Sequence, residues 1–363
     1  MTARVRPKRV RMHCTLFGAC AVFAAAQTAA FGIGSLPEGD KEEVRREHSS
    51  RRGVVEALIL QFGQPSHEEI LGRSYGCTAR PCWKADMPGA VLAGLIWADM
   101  PSGHPVGGRW SGCKNRNIGL QLNGKLAAGA CTMGYVIDGG KRSRGAQKTF
   151  YGEDHLNLYR THFGDMQWMH AMAEHRGDEA QKTKQAMLAW ARYLYGLSTT
   201  VAAEQIAINK PLSQVEPIAP LFSHDKRAWT SMTLFGTAQA SAPEQVVRDM
   251  AFGALLHMVQ DSYSESHLAR DFSTADEKPL GVIKGFHTYP GQKAKCHQGA
   301  DSDPMKDGWW ETARGKAVVA ASKQLIQYRT ANASLDEVLP WFESEVFSLS
   351  ATPSRAKSGF GSR

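Results

Sequence analysis

The sequence predicts a mainly α-helical protein organised as a single domain. Several segments place apolar residues at the spacing of a helix, and the alternation typical of strands is scarce. The chain has 363 residues, 42% of them hydrophobic and 21% charged, which is the composition of an ordinary globular protein. No internal repeat is visible, and the length is sufficient to bury a sizeable core.

Helical patterning is interrupted by one long segment of different character. The strongest helix is expected over residues 243–270, where Val246, Met250, Ala254 and Met258 lie on one apolar side. Residues 102–149 are instead rich in Gly, Pro, Lys and Arg, and they predict an irregular insertion with a few short strands. The other helices are expected over residues 40–60, 67–74, 88–97, 154–209 with breaks near Gly177 and Gly196, 311–327 and 335–347.

The N-terminal residues predict an exported protein. Residues 1–30 have the pattern of a signal peptide: five basic residues lie between positions 4 and 11, a short apolar run follows, and the segment ends in small residues. The run is too short for a transmembrane anchor, so we expect a secreted or periplasmic location. The predicted domain then covers residues 31–351, and the polar tail, residues 352–363, is expected to be disordered.

Charge argues against a stable nucleic-acid partner. The formal net charge is +8, but five of the basic residues belong to the predicted signal peptide, and removing them leaves 38 basic residues against 35 acidic ones. A nearly neutral remainder lacks the basic footprint of nucleic-acid-binding proteins.

Export would place the cysteines in an oxidising compartment. Cys77 with Cys82, and Cys113 with Cys131, are plausible disulfides on account of their short loops, although spacing alone does not fix the pairing. Cys296 is then the expected unpaired thiol.

The segment HMVQDSYSESH, residues 257–267, is the first candidate for metal chemistry. His257 and Asp261 are four residues apart, so a helix would bring both side chains to one ion. His267 would lie on a neighbouring face of the same helix and suit a second ion. Imidazole with carboxylate and no thiolate is typical of catalytic zinc. A capped helix end with a solvated Asp and a core His explains the same residues equally well.

Further histidines and aspartates repeat this chemistry. His297 and Asp301 have the same spacing in a segment expected to be a loop, and Asp99 follows an apolar helix, where a buried carboxylate needs a partner or a metal. The segment THFGDMQWMH adds His162, Asp165 and His170, and His48 lies in the predicted first helix. No Gly-rich phosphate loop and no nucleophile elbow is present, so covalent serine catalysis has no support.

The ordered set WAD, THFGDMQWMHAM, LLHMVQDSYSESH and HQGAD resembles the superfamily of zinc-dependent phospholipases C and single-strand-specific nucleases. Within it, the sequence is most similar to the bacterial zinc metallophospholipase C branch. The resemblance covers residues 99–301, with His48 in addition. It implies a multi-helix fold of that family, with the insertion 102–149 added to it.

The resemblance also implies three zinc ions and their ligands. Their ligand sets would be Asp99, His162, His257 and Asp261 for the first ion; His267, His297 and Asp301 for the second; and His48, the bridging Asp261 and the N-terminal residue of the mature chain for the third. The gap between Asp99 and His162 is longer than in compact members of the family. His155 and His170 are therefore rivals of His162, and His287 is a rival of His297.

The activity so implied is hydrolysis of a phosphodiester by a water activated between zinc ions, with Asp99 as the general base. The expected substrate is a phospholipid at a membrane surface, cleaved to diacylglycerol and a phosphorylated headgroup. The alternatives are a nuclease acting on single strands through the same zinc cluster and a secreted zinc-binding module without catalysis.

Overall fold

The structure is a computed structural model. It describes residues 65–99, 101, 103–105, 117–118, 150, 157–199, 206–222, 229–235, 244–273, 277–292 and 294–358. The signal peptide, the helix expected over residues 40–60, His48, His155 and the Cys113–Cys131 pair all lie outside these residues and stay predictions.

Helices dominate the described part of the chain, which confirms the mainly α class. They are α1 Ser66–Ser74, α2 Gly89–Asp99, α3 Asn157–Phe163, α4 Ala180–Ser198, α5 Ser231–Phe235, α6 Glu244–Asp261, α7 Ala294–Asp301, α8 Ala313–Thr330 and α9 Leu335–Trp341. A π-helical turn, Phe342–Val346, continues α9. Short 3₁₀ turns connect the helices, and one of them, Gln167–His170, carries a histidine that matters below.

Two small sheets complete the described elements. Strands β1 Gly103–Pro105 and β2 Asn117–Ile118 pair antiparallel within the insertion, where short strands were expected. Strand β4 Val282–Thr288 is central in the second sheet. It pairs antiparallel with β3 Leu268–Asp271 and parallel with β5 Lys357–Ser358.

The second sheet corrects two expectations. The helix predicted over residues 243–270 ends at Asp261, and its last residues form turns and β3 instead. The tail expected to be disordered from residue 352 is ordered as far as Ser358, because Ala356 is buried and β5 pairs with β4. In both places pairing with a distant segment outweighs the local sequence pattern.

Helix α6 is the central helix of the fold. Its residues from Val247 to Asp261 are buried almost without exception, so it contacts other elements on all sides. The most extensive of these contacts is with α2, and glycine makes it close. A Cβ atom on Gly94 would lie 2.0 Å from the carbonyl oxygen of Met250, and one on Gly253 would lie 2.0 Å from that of Val91. The two backbones therefore touch directly, which brings Asp99 beside the last turns of α6.

A disulfide and a cation–π contact hold α1 in place. Cys77 and Cys82 are bonded, as expected, with their Cα atoms 5.6 Å apart, and Cys296 is a free thiol. The guanidinium of Arg73 lies 4.2 Å from the centre of the Trp310 ring, so α1 is joined to the segment that precedes α8.

Within the described residues, no helix has both the length and the apolar character needed to cross a membrane.

Candidate metal centre

A set of buried histidines and aspartates from several parts of the chain converges at the ends of α2 and α6. Each has at most 3% of its surface exposed. The two helices contribute Asp99, His257 and Asp261, while α1 contributes His67 and α7 contributes His297 and Asp301. The others come from α3 and the connecting turns, and they are His162, His170 and His267.

Asp261 is the residue around which the histidines gather. Its Oδ2 atom lies 2.8 Å from Nδ1 of His170 and 3.0 Å from Nε2 of His257. Its Oδ1 atom lies 3.5 Å from Nε2 of His67 and 3.7 Å from Nδ1 of His267. One carboxylate thus faces four imidazoles, and each of its oxygens belongs to a different pair of them.

The first ligand group consists of Asp99, His170 and His257, whose ligand atoms all lie within 4.8 Å of one another. Oδ1 of Asp99 lies 3.6 Å from Nε2 of His257 and 3.9 Å from Nδ1 of His170. His162 borders this group, because its Nε2 lies 4.0 Å from the same Asp99 oxygen and its ring centre 4.6 Å from that of His170. Its other ring nitrogen, Nδ1, lies 3.0 Å from the carbonyl oxygen of Leu158.

The second ligand group consists of His267, His297 and Asp301. Nε2 of His297 lies 3.0 Å from Oδ2 of Asp301, and Nε2 of His267 lies 3.9 Å from Oδ1 of the same carboxylate. The two imidazole rings stack with their centres 5.2 Å apart. Since α7 carries both His297 and Asp301 four residues apart, one turn of helix sets their spacing.

The third ligand group consists of His67, His257 and Asp261. The rings of His67 and His257 stack with their centres 4.0 Å apart. The Nδ1–H group of His67 donates to Oε1 of Gln260 at 2.7 Å, which directs Nε2 towards Asp261. This group shares His257 with the first group, so the two form one continuous cluster.

Several atoms that face into the cluster make no hydrogen bond within the described residues. They are Oδ1 of Asp99, Oδ1 of Asp261, Nε2 of His297 and Oδ2 of Asp301. Buried polar atoms almost always have a partner, and leaving one without a partner costs about 1–3 kcal/mol. A cation coordinated by these imidazoles and carboxylates would satisfy such atoms together. The donor set therefore fits metal ions.

The pKa shifts favour the same conclusion. Burial lowers the pKa of His257 to about 3 and that of His267 to about 4, so both imidazoles are neutral near pH 7. Neutral imidazole is the form that binds metals. Burial, together with the charge of Asp261, raises the pKa of Asp99 well above its usual range. Burial also acts to raise the pKa of Asp261, but the surrounding histidines outweigh it and hold that pKa well below the usual range.

Six of the eight residues singled out as metal ligands in the sequence lie in these ligand groups. They are Asp99, His257, Asp261, His267, His297 and Asp301. His162 borders the first group, His170 occupies that group, and His48 lies outside the described residues. His287 is in strand β4 and in none of the groups. Asp165, three residues after His162, is in none of the groups and forms an ion pair with Arg160 at 2.8 Å.

Two local expectations about these ligands are wrong. His267 is not on the helix of His257, because α6 ends at Asp261 and His267 lies in the turn before β3. His297 and Asp301 are not in a loop, because α7 contains both.

His67 was not recognised as a candidate from the sequence. No histidine or aspartate lies four residues from it in the same helix, so the spacing that revealed the other ligands is missing. It reaches the cluster only because α1 packs against the core.

Comparisons with known proteins add no identity. No family model, no curated protein and no solved structure matches the chain.

Proposed function

We propose that this protein is a zinc-dependent phosphodiester hydrolase with a phospholipid as its substrate. The observation that carries this proposal is the sharing of ligands between buried groups, since His257 belongs to two of them and Asp261 faces four histidines. Closely spaced ions suit hydrolysis of phosphate esters, where charge on the attacking and leaving oxygens must be stabilised together.

The donor atoms favour zinc. The three ligand groups supply imidazole nitrogens and carboxylate oxygens without a thiolate, as in catalytic zinc sites. Three groups would hold three ions. In this assignment His67 fills the place expected of His48, and His170 joins or replaces His162 at the first ion.

The chain's own residues would place and deprotonate the attacking water. Zinc, when bound, lowers the pKa of a coordinated water and neutralises charge on the phosphate. Asp99 lies at the edge of the first group, and its Oδ1 atom makes no hydrogen bond within the described residues. Of the two carboxylate oxygens of Asp99, one would coordinate the ion and the other would orient the water and accept its proton. Asp261 and the histidines around it would hold the ions, whose charge would stabilise the phosphate.

The choice of a phospholipid rests on the resemblance of two motifs to one branch of the superfamily. THFGDMQWMHAM and LLHMVQDSYSESH resemble the metallophospholipase C branch more than the nuclease branch. The nearly neutral charge of the chain after residue 30 also disfavours a polyanionic nucleic acid. Export, which residues 1–30 suggest, would bring the enzyme to the outer surface of membranes.

The test is hydrolysis of a chromogenic phosphocholine ester and of phosphatidylcholine vesicles by the purified protein. We expect activity that a chelator abolishes and added Zn²⁺ restores. His267→Gln should abolish it too, because it removes a ligand from the second group. His175→Gln serves as the matched control: His175 is a histidine of the same fold that lies in none of the three ligand groups, and its variant should retain activity.

Other outcomes would replace the proposal. Faster cleavage of a single-stranded DNA oligonucleotide than of either phosphocholine substrate would show a nuclease. Bound zinc without hydrolysis of any of the three substrates would show a zinc-binding module.

A further inference from the structure

The side chain of Gln292 connects strand β4 to the second ligand group. Its Nε2 atom donates to the carbonyl oxygen of Ser266 at 2.7 Å and to that of Thr288 at 3.2 Å. Carbonyl oxygens accept hydrogen bonds and cannot donate them, so only the NH₂ end of the amide can face them. Two carbonyls therefore determine which way the amide of Gln292 points.

The orientation of this amide determines the tautomer of His297. With its NH₂ group on the carbonyls, Gln292 directs Oε1 at Nδ1 of His297, 2.5 Å away. An amide oxygen accepts only, so Nδ1 must carry the proton. In the neutral imidazole, which is the form that binds a metal, the lone pair is then on Nε2, which lies 3.0 Å from Oδ2 of Asp301, inside the ligand group.

We propose that Gln292 is a positioning residue, which holds His297 as the Nδ1–H tautomer with Nε2 directed at a metal ion. This inference rests on the metal centre of the proposed function and not on the hydrolysis assigned to it. Hydrogen bonds of this kind to the second nitrogen of a ligating histidine fix its tautomer and ring orientation, and losing one costs roughly 10–100-fold in metal affinity or activity.

Two substitutions separate positioning from packing. Gln292→Met removes both the bond to His297 and the bonds to the carbonyls. Gln292→Glu also removes the bonds to the carbonyls, but a carboxylate oxygen still accepts from Nδ1–H of His297. We expect the methionine variant to bind one zinc equivalent roughly 10–100-fold more weakly in a chelator titration followed by metal analysis. The glutamate variant should retain that equivalent at chelator concentrations where the methionine variant has lost it.

Gln167 provides a matched control. It is a buried glutamine whose Nε2 also donates to two carbonyls, those of Gly164 and Glu174, at 3.0 and 3.2 Å. Its Oε1 atom, however, accepts from the backbone N–H of Tyr289 rather than from a histidine. Gln167→Met should therefore lower the melting temperature of the protein as Gln292→Met does, while the zinc equivalent of the second ligand group is retained.

The outcomes distinguish this inference from the proposed function. Equal zinc loss in Gln292→Met and Gln292→Glu, or no loss in either variant, would overturn it. If the methionine variant does not fold, nitrogen-15 NMR of the zinc-loaded wild type decides, because a His297 ring protonated at Nε2 would also overturn it. A wild type that binds zinc but hydrolyses none of the substrates above overturns the function and leaves the role of Gln292 standing.

Discussion

Two buried ionisable side chains, Asp261 and Arg270, lie near the C-terminal end of α6, and the protein surrounds them with opposite kinds of partner. Asp261, the last residue of the helix, faces four histidines. Arg270, in strand β3, has no carboxylate partner among the described residues. Instead it donates five hydrogen bonds, to the backbone carbonyls of Leu280, Gly281 and Val346 and to both oxygens of Ser262.

This difference bears on which of the two surroundings could hold a metal ion. Burial lowers the pKa of Arg270 to about 10, so the side chain is still a cation near pH 7, stabilised by oxygens and by the ring of Tyr263 at 4.2 Å. The same fold therefore can surround a buried charge with partners of its own. Around Asp261, by contrast, the Oδ1 atoms of Asp99 and Asp261 make no hydrogen bond among the described residues, which is compatible with a bound metal ion there.

The largest expected effect is that of Asp261→Asn. The amide keeps the shape but loses the charge that faces four imidazoles, so zinc and hydrolysis should both fall by more than the roughly 100-fold associated with an outer-shell partner. Metal analysis and the phosphocholine assay measure this. Asp165→Asn is the control, because Asp165 pairs with Arg160 and belongs to none of the three ligand groups, so its loss should leave the zinc content intact. Full activity of the Asp261→Asn variant would contradict the proposed metal centre.

Arg270→Met tests the other side of the comparison. It leaves several buried oxygens without a donor, each at a cost on the order of 1 kcal/mol or more, so the free energy of unfolding should decrease by about 3 kcal/mol. Chemical denaturation of the zinc-loaded protein measures it. At denaturant concentrations below the unfolding transition, the zinc content should equal that of the wild type. A variant as stable as the wild type but depleted of zinc would contradict a purely structural role for Arg270.

The smallest effects on zinc binding and stability are expected for two serines, Ser266 beside Asp301 and Ser262 beside Arg270. Oδ1 of Asp301 accepts from Oγ of Ser264 at 2.7 Å and of Ser266 at 2.6 Å, so Ser266→Ala leaves one of the two bonds and should weaken zinc binding by about tenfold or less. Ser262→Ala, on the Arg270 side, is the matched variant. Both should cost about 1 kcal/mol of stability, and only the first should change zinc affinity. Equal zinc affinities in the two variants would show that the serines support packing alone.

The sequence predicts those parts of the metal centre that depend on local spacing. His257 and Asp261 were expected one helical turn apart, His297 and Asp301 repeat that spacing in a segment expected to be a loop, and Asp99 ends a helix whose apolar composition is visible directly. The end of α6, the helical state of α7 and the order of the tail depend on packing and on strand pairing between distant segments, which no local pattern contains. His67 was missed for the same physical reason, because only the docking of α1 on the core brings it to His257.

The close contact of α2 and α6 at Gly94 and Gly253 has a consequence for protein design. Asp99 follows the first glycine by five residues, and His257 and Asp261 follow the second by four and eight. The two backbones touch at these glycines, so helices α2 and α6 alone carry these three candidate ligands and bring them together. A designer could therefore graft this crossing onto an unrelated helical bundle as a template for an artificial metalloenzyme, and add the remaining histidines from whichever helices lie nearby.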